Sequence, residues 1–251
     1  MARYDVVYLL KGDVKAEEIR YSIRSVVQNF PYRKIIFVGG KPPGIEPDIY
    51  IPDVQSGNTK WERSTHSLKK ALKSNEITEY FWLFNDDFFV MDKMTDPKNY
   101  FNGSLEKRVF DLKRANPRGS SYIRALEQLR SQLISMGKDT LSFALHVPFL
   151  INKADALALF DKYPRLAMFR SFYGNFFTIP CEYMKDVKIH DLETLPEHRY
   201  CSTSDQAWNE GKCGIFLRKY FDKPTKYEVE ETSRMATREL YDEEGNERYE
   251  Y

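Results

Sequence analysis

The chain has 251 residues, of which 42% are hydrophobic, 15% aromatic and 30% charged, so a sizeable core can form. Its 38 lysines and arginines against 37 aspartates and glutamates leave a formal net charge of +1, which argues against a strong general affinity for nucleic acid or anionic membranes. No run of about 18 or more apolar residues is present, so no transmembrane helix is expected.

The amino-terminal part alternates strand and helix patterns. Residues 5–10 are apolar and β-branched, which predicts a first strand, and the chain enters it without a cleavable signal pattern. Residues 16–29 have apolar side chains at helical spacing, and residues 34–38 predict a second strand. This order implies parallel strands with a right-handed crossover. Residues 49–52 predict a short third strand and residues 61–74 a second helix.

The next segment, residues 80–90, is an aromatic and apolar run that is interrupted by Asn85, Asp86 and Asp87. Its composition predicts a buried strand of a sheet that is covered on both faces. Burying a carboxylate costs several kcal/mol unless it is paired, hydrogen-bonded or bound to a metal. Two adjacent acids here therefore favour a divalent cation, Mg²⁺ or Mn²⁺, with substrate phosphates completing its shell. The alternative is a turn between two short strands.

Longer polar segments separate the later elements. Residues 92–118 are rich in turn signals, which predicts an insertion or a mobile segment. Helices are predicted over residues 121–136 and 152–163, with Asn152 as the N-cap of the second. Further strands are predicted at residues 141–148, 187–191 and 213–217, and a short helix is predicted to begin at residues 202–205.

The carboxyl-terminal part changes in composition. From residue 223 the chain is polar and acidic, so we interpret residues 1–222 as one domain and residues 223–251 as a peripheral helix or loosely held segment. Cys181, Cys201 and Cys213 form no CxxC pair, which fits reduced thiols and a cytoplasmic location.

Several stretches, in order, resemble the Stealth family of sugar-phosphate transferases. They are Asp-Val-Val-Tyr at residues 5–8 with Gly-Asp at 12–13, Glu-Ile-Arg-Tyr-Ser-Ile-Arg-Ser at 18–25, Arg-Lys-Ile-Ile-Phe-Val at 33–38, Phe-Asn-Asp-Asp-Phe-Phe-Val at 84–90 and His-Val-Pro at 146–148. That family is related to GT-A-type glycosyltransferases, which use a nucleotide-diphosphosugar and usually a divalent metal held by an acidic motif. The compact form is also similar to bacteriophage-encoded glycosyltransferases.

The resemblance implies an α/β, GT-A-like (Rossmann-like) nucleotide-diphosphosugar transferase fold, with a mixed central sheet and helices on both faces. It implies Asp87 as a direct metal ligand, with Asp86 near the ribose or sugar. A cation held by Asp86 or Asp87 would stabilise the charge that develops on a diphosphate leaving group. His190 is a further candidate metal ligand, with a surface histidine at a turn as its alternative.

Other polar residues are candidates for contacts to donor and acceptor. Arg20 and Arg24 suit phosphate oxygens or form a solvated helix face. The remaining candidates for the donor are Lys60, Arg63 and Asn85. The candidates for acceptor or sugar binding are Arg170, Tyr173 and Asn175, which otherwise form an aromatic core corner.

Two residues are candidates for a catalytic role beside Asp87. His146 either shapes the acceptor pocket and acts as a base or merely ends a strand, and Asp205 is either a base or a helix N-cap. The predicted function is transfer of a sugar from a UDP-sugar or related donor to an acceptor hydroxyl, on a glycan or on a hydroxylated base of phage DNA. The alternatives are transfer of sugar-1-phosphate from the same donor and a non-catalytic nucleotide- or carbohydrate-binding protein.

Overall fold

The computed structural model describes residues 3–12, 16–54, 56–166 and 168–229, without the side chains of Ala16, Lys60 and Trp61. Its strands are β1 (Tyr4–Leu10), β2 (Tyr32–Gly39), β3 (Ile49–Pro52), β4 (Tyr80–Phe84), β5 (Phe88–Val90), β6 (Asn99–Phe101), β7 (Phe149–Asn152), β8 (Cys181–Tyr183), β9 (Lys188–Ile189) and β10 (Tyr200–Thr203). Its helices are α1 (Ala16–Asn29), α2 (Lys60–Lys73), α3 (Leu105–Ala115), α4 (Ser121–Ser135), α5 (Lys153–Lys162), α6 (Phe169–Phe176), α7 (Asp205–Asn209) and α8 (Lys212–Tyr220).

The central sheet has five strands in the order β3–β2–β1–β4–β7. Strands β3, β2, β1 and β4 are parallel, and β7 runs antiparallel to β4, so the predicted mixed sheet is confirmed. From β1 the chain passes through α1 to β2 on one side, whereas β4 lies on the other side of β1. The carboxyl ends of β1 and β4 therefore flank a switch point of the sheet, which is where ligands of α/β folds bind.

Helices cover both faces of this sheet, as predicted for the α/β class. Alternate residues of each strand point to opposite faces. Val6 and Tyr8 belong to the core cluster that contains residues of α1, whereas Val7 belongs to the cluster that contains residues of α2, α4, α5 and α6. All three strand residues are fully buried, which explains why the strands are apolar along their whole length.

The acidic run between β4 and β5 forms a turn, so residues 80–90 are two strands and not one. The amide of Phe88 donates to the carbonyl of Asn85 at 3.3 Å and closes the turn. Strand β5 then joins a second sheet in the order β5–β10–β9. Side chains of α1 hold its backbone, because Asn29 Nδ2 donates to the carbonyl of Val90 at 2.7 Å and Ser25 Oγ accepts from the amide of Val90 at 3.0 Å.

Three other predicted elements differ from the structure. The strand predicted over residues 141–148 is largely irregular, and the regular strand is β7, which begins directly after Pro148. Residues 213–217 lie in α8, where Cys213 and Leu217 are buried four residues apart, as one face of a helix requires. Residues 92–118 contain β6 and α3, and Tyr100 is only 5% exposed.

The described part of the carboxyl-terminal segment is docked rather than loosely held. Tyr227 is buried, and its hydroxyl donates to Asp48 Oδ2 at 2.6 Å. Glu228 forms ion pairs with Arg20 and Arg24 of α1. Residues 230–251 of this predicted segment lie outside the described residues. Among the helices that are described, none is long and apolar enough to cross a membrane.

Candidate functional site

A cavity of about 630 Å³ opens at the carboxyl ends of β1 and β4. The β4–β5 turn forms its floor with Asn85, Asp86 and Asp87, and the ends of the second sheet contribute Lys188 and Thr203. Among the described residues, the acidic side chains that line it are Glu18, Asp86, Asp87 and Asp205. The basic side chains that line it are Lys11, Arg63, Arg108, Arg170 and Lys188. The cavity therefore offers ligands for a cation and cations for an anionic ligand.

The carboxylate of Asp87 is held by two neighbours. Its Oδ2 accepts from Lys188 Nζ at 2.8 Å and from Ser202 Oγ at 2.9 Å. The side chains of Asp87 and Lys188 are 14% and 19% exposed. Such a pair lies largely out of solvent, so it is screened less than a surface ion pair. The position of the Asp87 carboxylate is therefore fixed before any ligand binds.

Asp86 and Glu18 are largely buried carboxyl groups that also lie near other acids. Burial, followed by the charge of Asp87, raises the pKa of Asp86. Burial raises the pKa of Glu18 to about 7, with further contributions from the charges of Asp87, Asp86 and Asp205, although a hydrogen bond from Thr203 Oγ1 at 2.9 Å acts in the opposite direction. Raised carboxyl pKa values at one place indicate that bound positive charge would be stabilised there.

Sequence reasoning did not single out Glu18. It lies in the first turn of α1, which is the next element after β1. That position in the sequence could have indicated a site residue, because a helix that follows the central strand of an α/β sheet begins at the edge where ligands bind.

A histidine–aspartate pair lies at another wall of the cavity. His146 Nδ1 lies 3.0 Å and 3.1 Å from the two carboxylate oxygens of Asp186. Burial alone would raise the pKa of Asp186, but the hydrogen bond and charge of His146 outweigh burial and lower it. In the neutral tautomer that donates its Nδ1 proton to Asp186, Nε2 of His146 is the nitrogen that can accept a proton. Asp186 had no distinguishing signal in the sequence, since it is an isolated acid before a short strand.

Arg170 supports the segment that carries His146. Its Nη1 donates to the carbonyls of Leu145 at 3.1 Å and Val147 at 2.8 Å. The guanidinium lies 5.5 Å from the ring centroid of Phe88. Burial lowers its pKa to about 10, against the opposing charge of Asp87. Arg170 therefore lines the cavity and positions its wall, and its predicted contact with a sugar remains a prediction.

Arg108 is a cavity residue that the sequence did not indicate. It comes from α3, within the segment that was predicted as an insertion. Its Nε is buried and has no hydrogen-bond partner within the part of the chain that the structure describes. A buried donor without an acceptor costs about 1–3 kcal/mol, so a ligand oxygen that accepted from it would gain that energy.

Arg20 and Arg24 lie away from this cavity, so their placement does not support the predicted contact with a diphosphate. Arg24 donates through Nε and Nη2 to the two carboxylate oxygens of Glu228, at 2.8 Å and 2.7 Å. Its Nη1 donates to the carbonyls of Phe221 and Asp222. Arg20 also donates to Glu228, at 3.0 Å. Both arginines thus fix the carboxyl-terminal segment.

Tyr173 and Asn175 are also placed in the core, which matches the alternative of an aromatic core corner. Asn175 is 2% exposed, and its amide exchanges two hydrogen bonds of 2.8 Å with the backbone of Leu141. Tyr173 is 3% exposed, and its hydroxyl accepts from the amide of Asn152 at 3.0 Å. These positions do not support the predicted contacts with an acceptor sugar.

The other predicted residues divide between the cavity and its surroundings. Asp205 lines the cavity, and the N-cap of α7 is Ser204, whose Oγ accepts from the amide of Ala207 at 3.2 Å. His190 is exposed, follows β9, and is not among the described cavity-lining residues. Among the residues that the structure describes, no three His, Cys, Asp or Glu side chains converge as a ligand set. Asp13 and the side chain of Lys60 lie outside the described residues, whereas Arg63 lines the cavity.

Comparisons with known proteins found no matching family profile and no matching curated protein. Solved structures of glycosyltransferases are similar to the chain. An active-site mutant of LgtC is 12% identical with a TM-score of 0.49, and galactosyltransferase LgtC in complex with donor and acceptor sugar analogs is 14% identical with a TM-score of 0.48. Each match covers 92% of this chain and 99% of the other. Glycosyltransferase GlyE of Streptococcus pneumoniae TIGR4 is 11% identical with a TM-score of 0.35, over 74% of this chain and 46% of the other.

Proposed function

We propose that the chain is a glycosyltransferase that moves a sugar from a nucleotide-diphosphosugar to an acceptor hydroxyl with the help of a divalent cation. The observation that carries this proposal is the cavity at the switch point of the sheet, where Asp86 and Asp87 face a set of arginines and lysines. A cation with its carboxylate ligands beside several arginines is the charge pattern that a diphosphate requires. UDP-sugars are the first donors to test.

The acidic side of the cavity fits a divalent cation. Asp86 and Asp87 are adjacent carboxylates, and the pKa of Asp86 is raised by burial and by the charge of Asp87. Mg²⁺ or Mn²⁺ prefers such oxygen ligands. Bound there, the cation would neutralise the charge that develops on the leaving diphosphate.

The basic side of the cavity supports contacts with phosphate oxygens. Arg108 brings a buried Nε that lacks an acceptor within the described residues. Arg63 and Lys11 add positive charge at the same cavity. Arginine binds phosphate oxygens through its planar fork, so these residues orient the diphosphate while the bond to the sugar breaks.

The acceptor is proposed to approach the wall that contains His146. The acceptor oxygen attacks the anomeric carbon, the bond from that carbon to the diphosphate oxygen breaks, and the acceptor proton passes to His146 Nε2 or to Asp205. Asp186 holds the ring of His146 through Nδ1, at 3.0 Å. That bond orients the ring and stabilises the imidazolium that forms.

Transfer of sugar-1-phosphate is the second candidate, because His146 belongs to a stretch that resembles the Stealth family and lies in the cavity. In that reaction the acceptor attacks the β-phosphorus, and the nucleoside monophosphate leaves. Glycosyl transfer instead releases the nucleoside diphosphate. The two reactions therefore differ in a product that is easily measured.

The test is a panel of nucleotide sugars incubated with the protein, Mn²⁺ and glycan or hydroxylated-DNA acceptors, with the released nucleotide identified by chromatography. Release of UDP or another nucleoside diphosphate that depends on acceptor supports the proposal. Release of the monophosphate favours sugar-phosphate transfer. Donor binding without release in the presence of every acceptor class favours a binding protein.

A further inference from the structure

We propose that Lys188 is the resident counter-ion of Asp87 and competes with the divalent cation for Asp87 Oδ2, so that a cation bound through this oxygen displaces the Lys188 ammonium. This inference rests on the proposed function in one respect, since it takes Asp86 and Asp87 as the cation ligands. It concerns the binding of a metal ion alone and requires neither donor nor acceptor.

The position of the ammonium follows from strand pairing. Ser202 of β10 pairs with Phe88 of β5 on one side and with Lys188 of β9 on the other. Phe88, Ser202 and Lys188 form one row across the second sheet, and Asp87 lies in the turn directly before this row. Strand pairing therefore brings Lys188 close to the turn that contains Asp87, and Lys188 Nζ lies 2.8 Å from Asp87 Oδ2. A surface lysine that met an acid by chance would have no such constraint.

The ion pair uses a ligand atom that a metal would need. Oδ2 of Asp87 already accepts from Lys188 and from Ser202 Oγ. With two donors at that oxygen, a cation that binds Asp87 through both carboxylate oxygens must displace Lys188. The side chains of Lys188 and Asp87 are only 19% and 14% exposed, so solvent and salt screen their attraction poorly. Breaking this ion pair costs free energy, and that cost weakens metal binding measurably.

The charges around Asp87 determine the direction of the effect. Asp86, Glu18 and Asp205 are acidic side chains of the same cavity, so Asp87 and its partner Lys188 lie beside several carboxyl groups. Removal of the Lys188 charge leaves Asp87 without its ion-pair partner among them, and Arg170 is then the basic residue whose charge interacts with Asp87. A divalent cation is the group that would compensate this charge best.

The test is a titration of the purified protein with MnCl₂ alone, in which free Mn²⁺ is measured by electron paramagnetic resonance. Lys188→Met is expected to bind Mn²⁺ at least about tenfold more tightly than the wild type, which corresponds to about 1.4 kcal/mol. Lys188→Arg keeps the charge and is expected to bind like the wild type. The matched control is Lys185→Met, since Lys185 is an exposed lysine that does not line the cavity in the described structure.

A second measurement uses the wild type only, in case Lys188→Met does not fold. Amine labelling followed by mass spectrometry is expected to show that Mn²⁺ increases modification of Lys188 relative to Lys185. The proposal is overturned if Lys188→Met binds Mn²⁺ no more tightly than the wild type, or if Mn²⁺ leaves the labelling of Lys188 unchanged. These results do not depend on glycosyl transfer. If Asp86→Ala and Asp87→Asn bind Mn²⁺ like the wild type, the cation site of the proposed function is itself refuted.

Discussion

The ion-pair network of Glu228 makes a stability prediction that does not depend on the function of the chain. Glu228→Gln removes the carboxylate that receives Arg24 Nη2 at 2.7 Å and Arg20 Nη1 at 3.0 Å. The side chains of Glu228 and Arg24 are only 8% and 10% exposed. Breaking a buried ion pair costs about 3–5 kcal/mol. In the variant, Arg24 still donates hydrogen bonds to the carbonyls of Phe221 and Asp222, and the glutamine side chain still offers one acceptor oxygen. We therefore expect the free energy of unfolding to fall by about 2 kcal/mol.

The assay is urea unfolding together with calorimetry. A loss of about 2 kcal/mol in the free energy of unfolding corresponds to a fall in Tm of about 4–8 °C for a domain of this size. The control is Glu46→Gln, because Glu46 pairs with Lys41 at the surface and its side chain is 57% exposed. That control is expected to change the free energy of unfolding by less than about 0.5 kcal/mol. Equal effects of the two substitutions would refute the reasoning.

The pH dependence of the same variant gives an independent check. Burial alone would raise the pKa of Glu228, but hydrogen bonds from Arg24, Arg20 and the Thr225 amide lower it from 4.5 to about 2. A carboxyl group with a lowered pKa stabilises the fold above its unfolded pKa and loses that contribution as the pH falls through the folded value. The difference between the wild type and Glu228→Gln should therefore be full above about pH 4.5 and vanish toward about pH 2.

Three further predictions concern the cavity and its support. Asp186→Asn should lower kcat by about tenfold with little change in KM, because His146 loses the carboxylate that stabilises its imidazolium, and steady-state kinetics checks this. Asn175→Ala should reduce the free energy of unfolding, measured by urea denaturation, by about 1–3 kcal/mol while leaving donor affinity unchanged. The reason is that the amide and carbonyl of Leu141 lose their hydrogen-bond partner. Glu18→Gln should raise the free energy of unfolding by about 1–3 kcal/mol at pH 8 in metal-free buffer, because a carboxyl group with a pKa raised to about 7 destabilises the fold above that pH. The gain should decrease as the pH falls from about 7 toward 4.5, and unfolding at both pH values tests it.

Local patterns were sufficient to predict the elements whose structure is decided locally. The β1–α1–β2 unit was predicted because its apolar spacing changes clearly from strand to helix and back. The assignment of residues 213–217 was wrong because five small and apolar residues carry too little periodicity. Within α8, Gly214 packs closely on the preceding helix α7, since a Cβ at Gly214 would lie 1.9 Å from the carbonyl oxygen of Trp208.

The separation of β4 from β5 could not be predicted from the run of apolar residues. Both halves are aromatic and buried, but β4 pairs with β1 and β7 whereas β5 pairs with β10. Only the pairing partners, which are distant in sequence, distinguish the two sheets. The turn that joins them was predicted as an alternative to a metal site, and the structure shows a turn that lines the cavity.

The acidic part of the site was visible in the sequence, whereas most of its surroundings were not. Asp86 and Asp87 were noticed because acids inside an apolar run need a partner. Lys188, Asp186 and Arg108 each look like an ordinary surface residue, and only the fold brings Lys188 and Arg108 to the cavity and Asp186 to His146. The ion pair of Arg24 could not be predicted either, since its partner Glu228 is 204 residues away in the sequence.

The central claim is that the Asp86–Asp87 turn binds the donor together with a divalent cation. Isothermal titration of UDP-glucose and UDP-galactose into the wild type, Asp86→Ala and Asp87→Ala, each with Mn²⁺ and with a chelator, tests it most directly. We predict binding to the wild type that requires Mn²⁺ and is lost in both variants. Binding of equal affinity in the wild type and both variants, or binding that is unaffected by the chelator, would contradict the claim.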